Sequence, residues 1–169
     1  QAVSSLTMLS WLIMSLSRAQ ASMRRINEVF DEQPDIADGP SDKTVQDGSV
    51  EFDDVCFSYT RDPEKLNLRH VSFRIESGET IGVIGGTGEG KSTLVSLIPR
   101  FYDALSGTVR VGGTDVRAYT LENLRAGVSM VLQNGTLFSG TIASNLRWGK
   151  PDATLEEMKA ACAIACADE

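Results

Sequence analysis

Hydrophobic residues recur at helical spacing over residues 1–31, at Val3, Leu6, Leu9, Ile13, Leu16, Met23, Ile26 and Phe30. Within that run Trp11, Leu12, Ile13 and Met14 are consecutive, and at helical geometry such a run covers nearly the whole circumference. A helix apolar all round is buried, in protein or in lipid. No charge precedes Arg18, and Arg18, Arg24 and Arg25 then arrive together. The pattern reads as the inner end of a transmembrane helix whose arginines mark the cytoplasmic side. An amphipathic helix packed on a soluble core is the alternative.

From Gln33 to Gly48 the chain turns polar, with Pro34, Asp38, Gly39, Pro40, Ser41, Asp42, Asp47 and Gly48. Pro34 ends the helix and the rest has linker composition. This places boundaries at 1–33 (helix), 34–48 (linker) and 49–169 (main domain). Residues Val50–Tyr59 and Leu68–Ile75 alternate, predicting an antiparallel pair joined by the charged turn Arg61–Lys65. Thr80–Ile84 and Val128–Leu132 read as buried strands, Gly107–Val111 as a short strand, and Leu121–Arg125 as a helical turn. Thr154, followed three residues later by Glu157, reads as the capped start of an alanine-rich helix running to Ala167.

Charge and cysteine content narrow the function classes. A net charge of −7 argues against nucleic acid as partner, because phosphate backbones need a basic surface. Three cysteines, Cys56, Cys162 and Cys166, do not form a disulfide framework. Cys162 and Cys166 are four apart, half of a metal site at most, with one histidine in the chain, the distant His70. They read instead as small buried residues on a helix. His70, in an alternating segment, reads as a surface residue rather than a catalyst.

The chemistry lies in Gly85-Gly86-Thr87-Gly88-Glu89-Gly90-Lys91-Ser92, followed by Thr93. It fits G-x-x-x-x-G-K-[ST] between a predicted strand, Thr80–Ile84, and a predicted helix, Ser92–Ile98. Glycines let the backbone wrap closely around phosphate oxygens. Loop N–H groups and the helix start supply partial positive charge. Lys91 would neutralise the β- and γ-phosphates, and the Ser92 hydroxyl would ligate Mg²⁺. A glycine-rich turn with no ligand would not need Lys91 and Ser92 at these positions.

With this loop, Phe57-Ser58-Tyr59 before it and Met130-Val131-Leu132-Gln133 after it stand in order. So do Ser17–Ser22, Arg25–Phe30 and Leu137-Phe138-Ser139-Gly140-Thr141-Ile142. Together they resemble an ABC exporter of the bacterial multidrug or lipid half-transporter type. The match is to the junction of its last transmembrane helix with its nucleotide-binding domain, and it covers the whole chain. The resemblance implies an α/β P-loop ATPase core with an antiparallel β-subdomain, truncated, preceded by a transmembrane-derived helix. It implies ATP and Mg²⁺ as cofactors, with Tyr59 stacking on adenine and Gln133 sharing Mg²⁺ with Ser92. Gly85, Gly86, Thr87, Gly88, Glu89, Gly90, Lys91, Ser92 and Thr93 form the nucleotide-binding loop, with Lys91 the catalytic cation. Partners implied are a second nucleotide-binding domain and a transmembrane domain contacting the Phe138 region, at the cytoplasmic side of the cell membrane.

Two departures stand out. Glu89 occupies a loop position where the family often has a small residue, and its charge would oppose a γ-phosphate and a facing subunit. The chain also carries no LSGGQ-like signature, no apolar strand ending in Asp-Glu and no switch histidine, so the 169-residue polypeptide alone is expected to be inactive and poorly folded. The readings weighed are therefore an ATP-binding exporter subunit, a nucleotide-binding module without turnover, and a soluble P-loop kinase or GTPase. The last explains neither Tyr59 nor the N-terminal helix. Transported substrate and homo- or heterodimeric state are not encoded here.

Overall fold

The structure, a computed structural model, describes residues 2–167, which fall into two compact units at residues 1–129 and 130–169. The first unit opens with α1 (Ala2–Phe30). Its apolar side chains stand in solvent on every side, among them Leu6, Trp11, Ile13 and Phe30. Ser10 and Ser17 donate back to the carbonyls of Leu6 and Ile13, and Arg24 pairs with Glu28 one turn on. The helix spans nearly the predicted residues, because its period is a local signal; the side chain of Val3 lies outside the described residues. Of the two expectations for its surroundings, packing on a soluble core is not met. No helix of the described residues is long and apolar enough to cross a membrane, and the α1 side chains described do not pack on a core.

The sheet is a four-stranded antiparallel one in the order β2-β1-β3-β4, with β1 Val50–Phe57, β2 Leu68–Ile75, β3 Ser106–Val111 and β4 Thr114–Asp115. Alternation in β1 sends Phe52, Val55 and Phe57 to the core face. The strand carries a bulge between Phe52 and Val55 that both neighbours accommodate. Asp54 takes φ 50° there. Across the ladder Gly107 has φ 80° and sits so close that a Cβ would overlap the Asp54 carbonyl, so only glycine fits. Two short helices cover the core face, α2 (Lys91–Leu97) through Leu97 and α3 (Leu121–Gly127) through Leu124. Thr120 caps α3 by accepting from the Asn123 N–H, and the buried Tyr119 hydroxyl donates to the Val111 carbonyl at 2.9 Å.

Two predicted strands are absent. Thr80–Ile84 and Val128–Leu132 have no ladder partner among the described residues, and Ile84 and Val131 are 98% and 99% exposed. Parallel strands of this class are stabilised by neighbours on both edges and by cover on both faces. An apolar run without those neighbours has no ladder to join. The phosphate loop is therefore followed by its helix but not preceded by its strand.

Residues 37–45 do not run free over the surface. Gly39 N–H donates to the Tyr119 carbonyl at 2.8 Å, Ser41 N–H to the Ala118 carbonyl at 2.9 Å, and Thr120 N–H to the Ser41 carbonyl at 3.2 Å. Asp38 Oδ1 accepts from the Leu121 N–H, Asn123 donates to the Asp42 carbonyl, and Val45 packs against the core. Arg100 completes the strap. Its guanidinium donates to the Ala37 carbonyl at 3.0 Å and grips both oxygens of Asp103 at 2.7 and 3.1 Å, with the side chain only 7% exposed.

The second unit holds α4 (Ile142–Leu146) and α5 (Leu155–Ile164). Both start on reciprocal caps, Thr141 with Ser144 and Thr154 with Glu157. Before α4, the Asn145 side chain accepts from the Phe138 N–H at 2.8 Å and donates to its carbonyl at 3.0 Å. The Phe138 and Trp148 rings meet at 5.3 Å. Cys162 is half-buried, but Cys166 lies past the helix end, exposed, with φ 52°. The expected pair of buried cysteines on one helix face does not form, because α5 ends at Ile164.

Candidate functional site

Six residues separate the end of the exposed run 80–84 from α2, and glycines set their path. Gly88 and Gly90 have φ 86° and 90°, the left-handed region that glycine enters without strain. A Cβ on Gly90 would also press on Leu68 Cδ2 at 2.9 Å, so the helix start is seated against β2. Lys91 folds back over the loop, its ammonium donating to the Gly85 carbonyl at 2.8 Å and to that of Gly86. A cation thereby stands inside the loop, which remains open to solvent. Ser92 exposes its hydroxyl on the first turn of α2, and Thr93 is buried.

The loop already holds an anion. The Glu89 carboxylate turns inward and accepts from the Gly86 N–H at 2.6 Å, and its oxygens crowd the space beside Gly85 and Gly86. This carboxylate stands in for a phosphate oxygen on a main-chain donor, and the residues present fit a phosphate group. A nucleotide would meet the same donor, and Glu89 would have to leave it.

Tyr59 lies beside this loop. Its hydroxyl shares a hydrogen bond with Thr93 Oγ1 at 3.0 Å, joining the end of β1 to the first turn of α2. Its N–H is held by Asn67 Oδ1 at 3.2 Å. The ring stands perpendicular to those of Phe57 and Tyr102, with centroids 4.8 and 5.1 Å away, and remains half exposed. The site in the first unit thus brings Tyr59 together with Gly85–Thr93. Sequence reasoning missed Tyr102, and no periodicity points to a loop aromatic that far along the chain. Gln133 and Phe138 belong to the second unit, both exposed. His70 is at the surface as expected, its Nδ1 2.8 Å from Asp54 Oδ1. No group of three or more His, Cys, Asp or Glu side chains able to hold a metal occurs among the described residues.

Comparisons with known proteins agree with this geometry. The family model described as ABC transporter matches residues 68–167. A putative multidrug export ATP-binding/permease protein of Bacillus subtilis (strain 168) is 47% identical over 157 residues, 92% of this chain and 27% of that protein. A multidrug efflux ATP-binding/permease protein of Mycobacterium tuberculosis is 40% identical, covering 95% of this chain and 13% of its own length. Among solved structures, a bacterial Atm1-family ABC exporter with ATP bound superposes with a TM-score of 0.84 at 32% identity, over 96% of this chain and 29% of that one. The chain spans between 13% and 29% of the length of these proteins. On the family match, the glycine loop and the antiparallel sheet beside it, this chain belongs to the ABC transporter family and carries part of its P-loop ATPase domain.

Proposed function

We propose that this chain is the ATP-binding part of an exporter-type ABC transporter, in which ATP binding and hydrolysis drive export across a membrane. The observation that carries the reading is the loop Gly85–Ser92, with Lys91 inside it and Tyr59 anchored to Thr93 beside it. Tyr59 offers a π-face to the base. The main-chain N–H groups of the loop would meet the phosphates, the Gly86 N–H being the one already engaged by a carboxylate, and Lys91 adds a full positive charge. Mg²⁺, when bound, would neutralise phosphate charge; the Ser92 hydroxyl would be its ligand from the loop, and Gln133 would take the Mg²⁺ role that the resemblance implies. Relatives named ATP-binding/permease proteins support a membrane domain as partner. The exposed pair Phe138 and Trp148, held by Asn145, supports the 138 region as the surface that meets it. Residues 1–33 are assigned to the end of the last transmembrane helix and 34–48 to the connection, with residues 49–169 on the cytoplasmic side. A second nucleotide-binding domain is the other partner. The 169 residues assayed by themselves would not turn over ATP, since no strand ending in Asp-Glu is present in them to position water.

Calorimetric titration of the intact polypeptide with Mg-ATP tests this. Lys91→Ala removes a charge-assisted contact worth about 1.5–3 kcal/mol, so affinity should fall roughly ten- to hundredfold. Tyr59→Ala should cost less, and equally for ATP and GTP, because stacking discriminates poorly between purines. Unchanged affinity in Lys91→Ala overturns the phosphate assignment.

A further inference from the structure

The Tyr59 side chain is held at three points, and only one of them lies in the phosphate loop. The hydroxyl is tied to Thr93, Phe57 closes β1 two residues back, and Tyr102 comes from the corner after α2. Tyr102 meets both other rings, at 5.1 Å and 89° to Tyr59 and at 5.6 Å and 55° to Phe57. An exposed aromatic at a strand end otherwise has two free torsions, and a base that stacks on it must first immobilise it. A perpendicular neighbour lowers that cost, since edge-to-face pairs are favourable beyond their area.

The corner carrying Tyr102 is itself fixed. Arg125 donates to the carbonyls of Pro99 and Arg100 at 3.2 and 3.1 Å and lies over the Phe101 ring at 5.4 Å. Arg100, in the left-handed region at φ 53°, grips Asp103. Tyr102 therefore projects from a braced turn, flanked on both sides by residues tied down elsewhere. The hydroxyl of Tyr102 is not needed for the ring contact; the ring is.

We propose that Tyr102 is a positioning residue for the nucleotide base: it pre-orients the Tyr59 ring, so that affinity for the base, but not for the phosphates, depends on it. The inference rests on the nucleotide reading of Tyr59. It concerns purine nucleoside triphosphates as a class, and it separates the base half of the site from the phosphate half.

The test compares Mg-ATP with Mg-tripolyphosphate, which lacks base and ribose, on the intact polypeptide and its variants. Tyr102→Ala should weaken ATP about three- to tenfold, the range of one aromatic pair, and leave tripolyphosphate unchanged. Tyr102→Phe, which keeps the ring, should restore ATP affinity. In Tyr59→Ala a further Tyr102→Ala should cost nothing more, because there is no ring left to orient. Equal loss for both ligands in Tyr102→Ala would show a merely structural corner and overturn the proposal, as would no loss for either. If Tyr59→Ala itself leaves the ratio of ATP to tripolyphosphate affinity unchanged, the base-stacking reading fails first. If it lowers the ratio and Tyr102→Ala does not, only the role of Tyr102 fails.

Discussion

Removing Arg100 should destabilise the first unit more than any loss of a surface ion pair. Its guanidinium is 7% exposed, makes two bonds to Asp103 at 2.7 and 3.1 Å and one to the Ala37 carbonyl at 3.0 Å. In Arg100→Ala the Asp103 carboxylate, 28% exposed, keeps its charge without that partner, and the Ala37 carbonyl loses its donor. Breaking a buried pair from one side costs about 3–5 kcal/mol; the partial exposure of Asp103 lowers this to about 2–4 kcal/mol, with the stranded carbonyl included. For a chain of this size each kcal/mol moves the melting temperature by about 2–4 °C, so a drop of roughly 4–16 °C is expected. Circular dichroism melts of the intact polypeptide measure it. The double variant Arg100→Met, Asp103→Leu should recover most of the loss, because it leaves no charge stranded. A single variant within about 1 kcal/mol of the parent, or a double variant no better than the single, refutes the reasoning.

Gly107→Ala forces a side chain into the left-handed region against the Asp54 carbonyl; about 2–5 kcal/mol of lost stability in urea unfolding is expected. Glu89→Ser frees the Gly86 N–H and removes a charge facing the phosphates, so titration should show tighter ATP binding and light scattering stronger ATP-dependent pairing of complete domains. Equal or weaker binding would mean that Glu89 does not compete with phosphate. Glu157 is held down to about 2 from its ordinary 4.5, first by the hydrogen bond from Lys150 and then by the N–H and hydroxyl of Thr154. A depressed carboxyl stabilises above its ordinary value and loses that support as pH falls towards about 2. Protection factors of amides at the start of α5, taken relative to intrinsic exchange at each pH, should therefore fall between pH 4.5 and about 2, and Thr154→Ala, which costs a cap about 0.5–2 kcal/mol, should lower them at neutral pH.

What the sequence disclosed was the part carried by local signals. The span of α1 follows from its period, β1 and β2 from alternation, and the start of α5 from Thr154 and Glu157. The phosphate loop was legible because glycine, lysine and serine have separate duties at fixed offsets. Strands at 80–84 and 128–132 were misread because a ladder depends on distant partners, which no window along the chain contains. The helix at 142–146 escaped because Ser144 replaces the more recognisable glutamate in its cap. Glu89 was read as a charge close to phosphate and subunit, but that its carboxylate takes the Gly86 N–H is a rotamer choice invisible in the order of residues. Tyr102 was unread for a similar reason: its contact with Tyr59 spans forty-three positions and leaves no periodic trace.

The strap over residues 37–45 has a mechanical meaning. The last helical hydrogen bond of α1 reaches Asp31, and the first anchored carbonyl is that of Ala37. Only residues 31–36 lie between, a reach of at most roughly 20 Å at full stretch, with Asp35 paired to Arg61 at 3.4 Å on the way. Any displacement of the end of α1 that straightens this segment fully becomes tension. Tension on Ser41 bears on Tyr119 and its neighbours through the bonds at Ala118 and Thr120, and Tyr119 sits at the centre of the core with its hydroxyl on β3. The join between helix and sheet thus behaves as a short cable fastened to a beam, with little play, and a pull at one end is felt at the other within a single strand width.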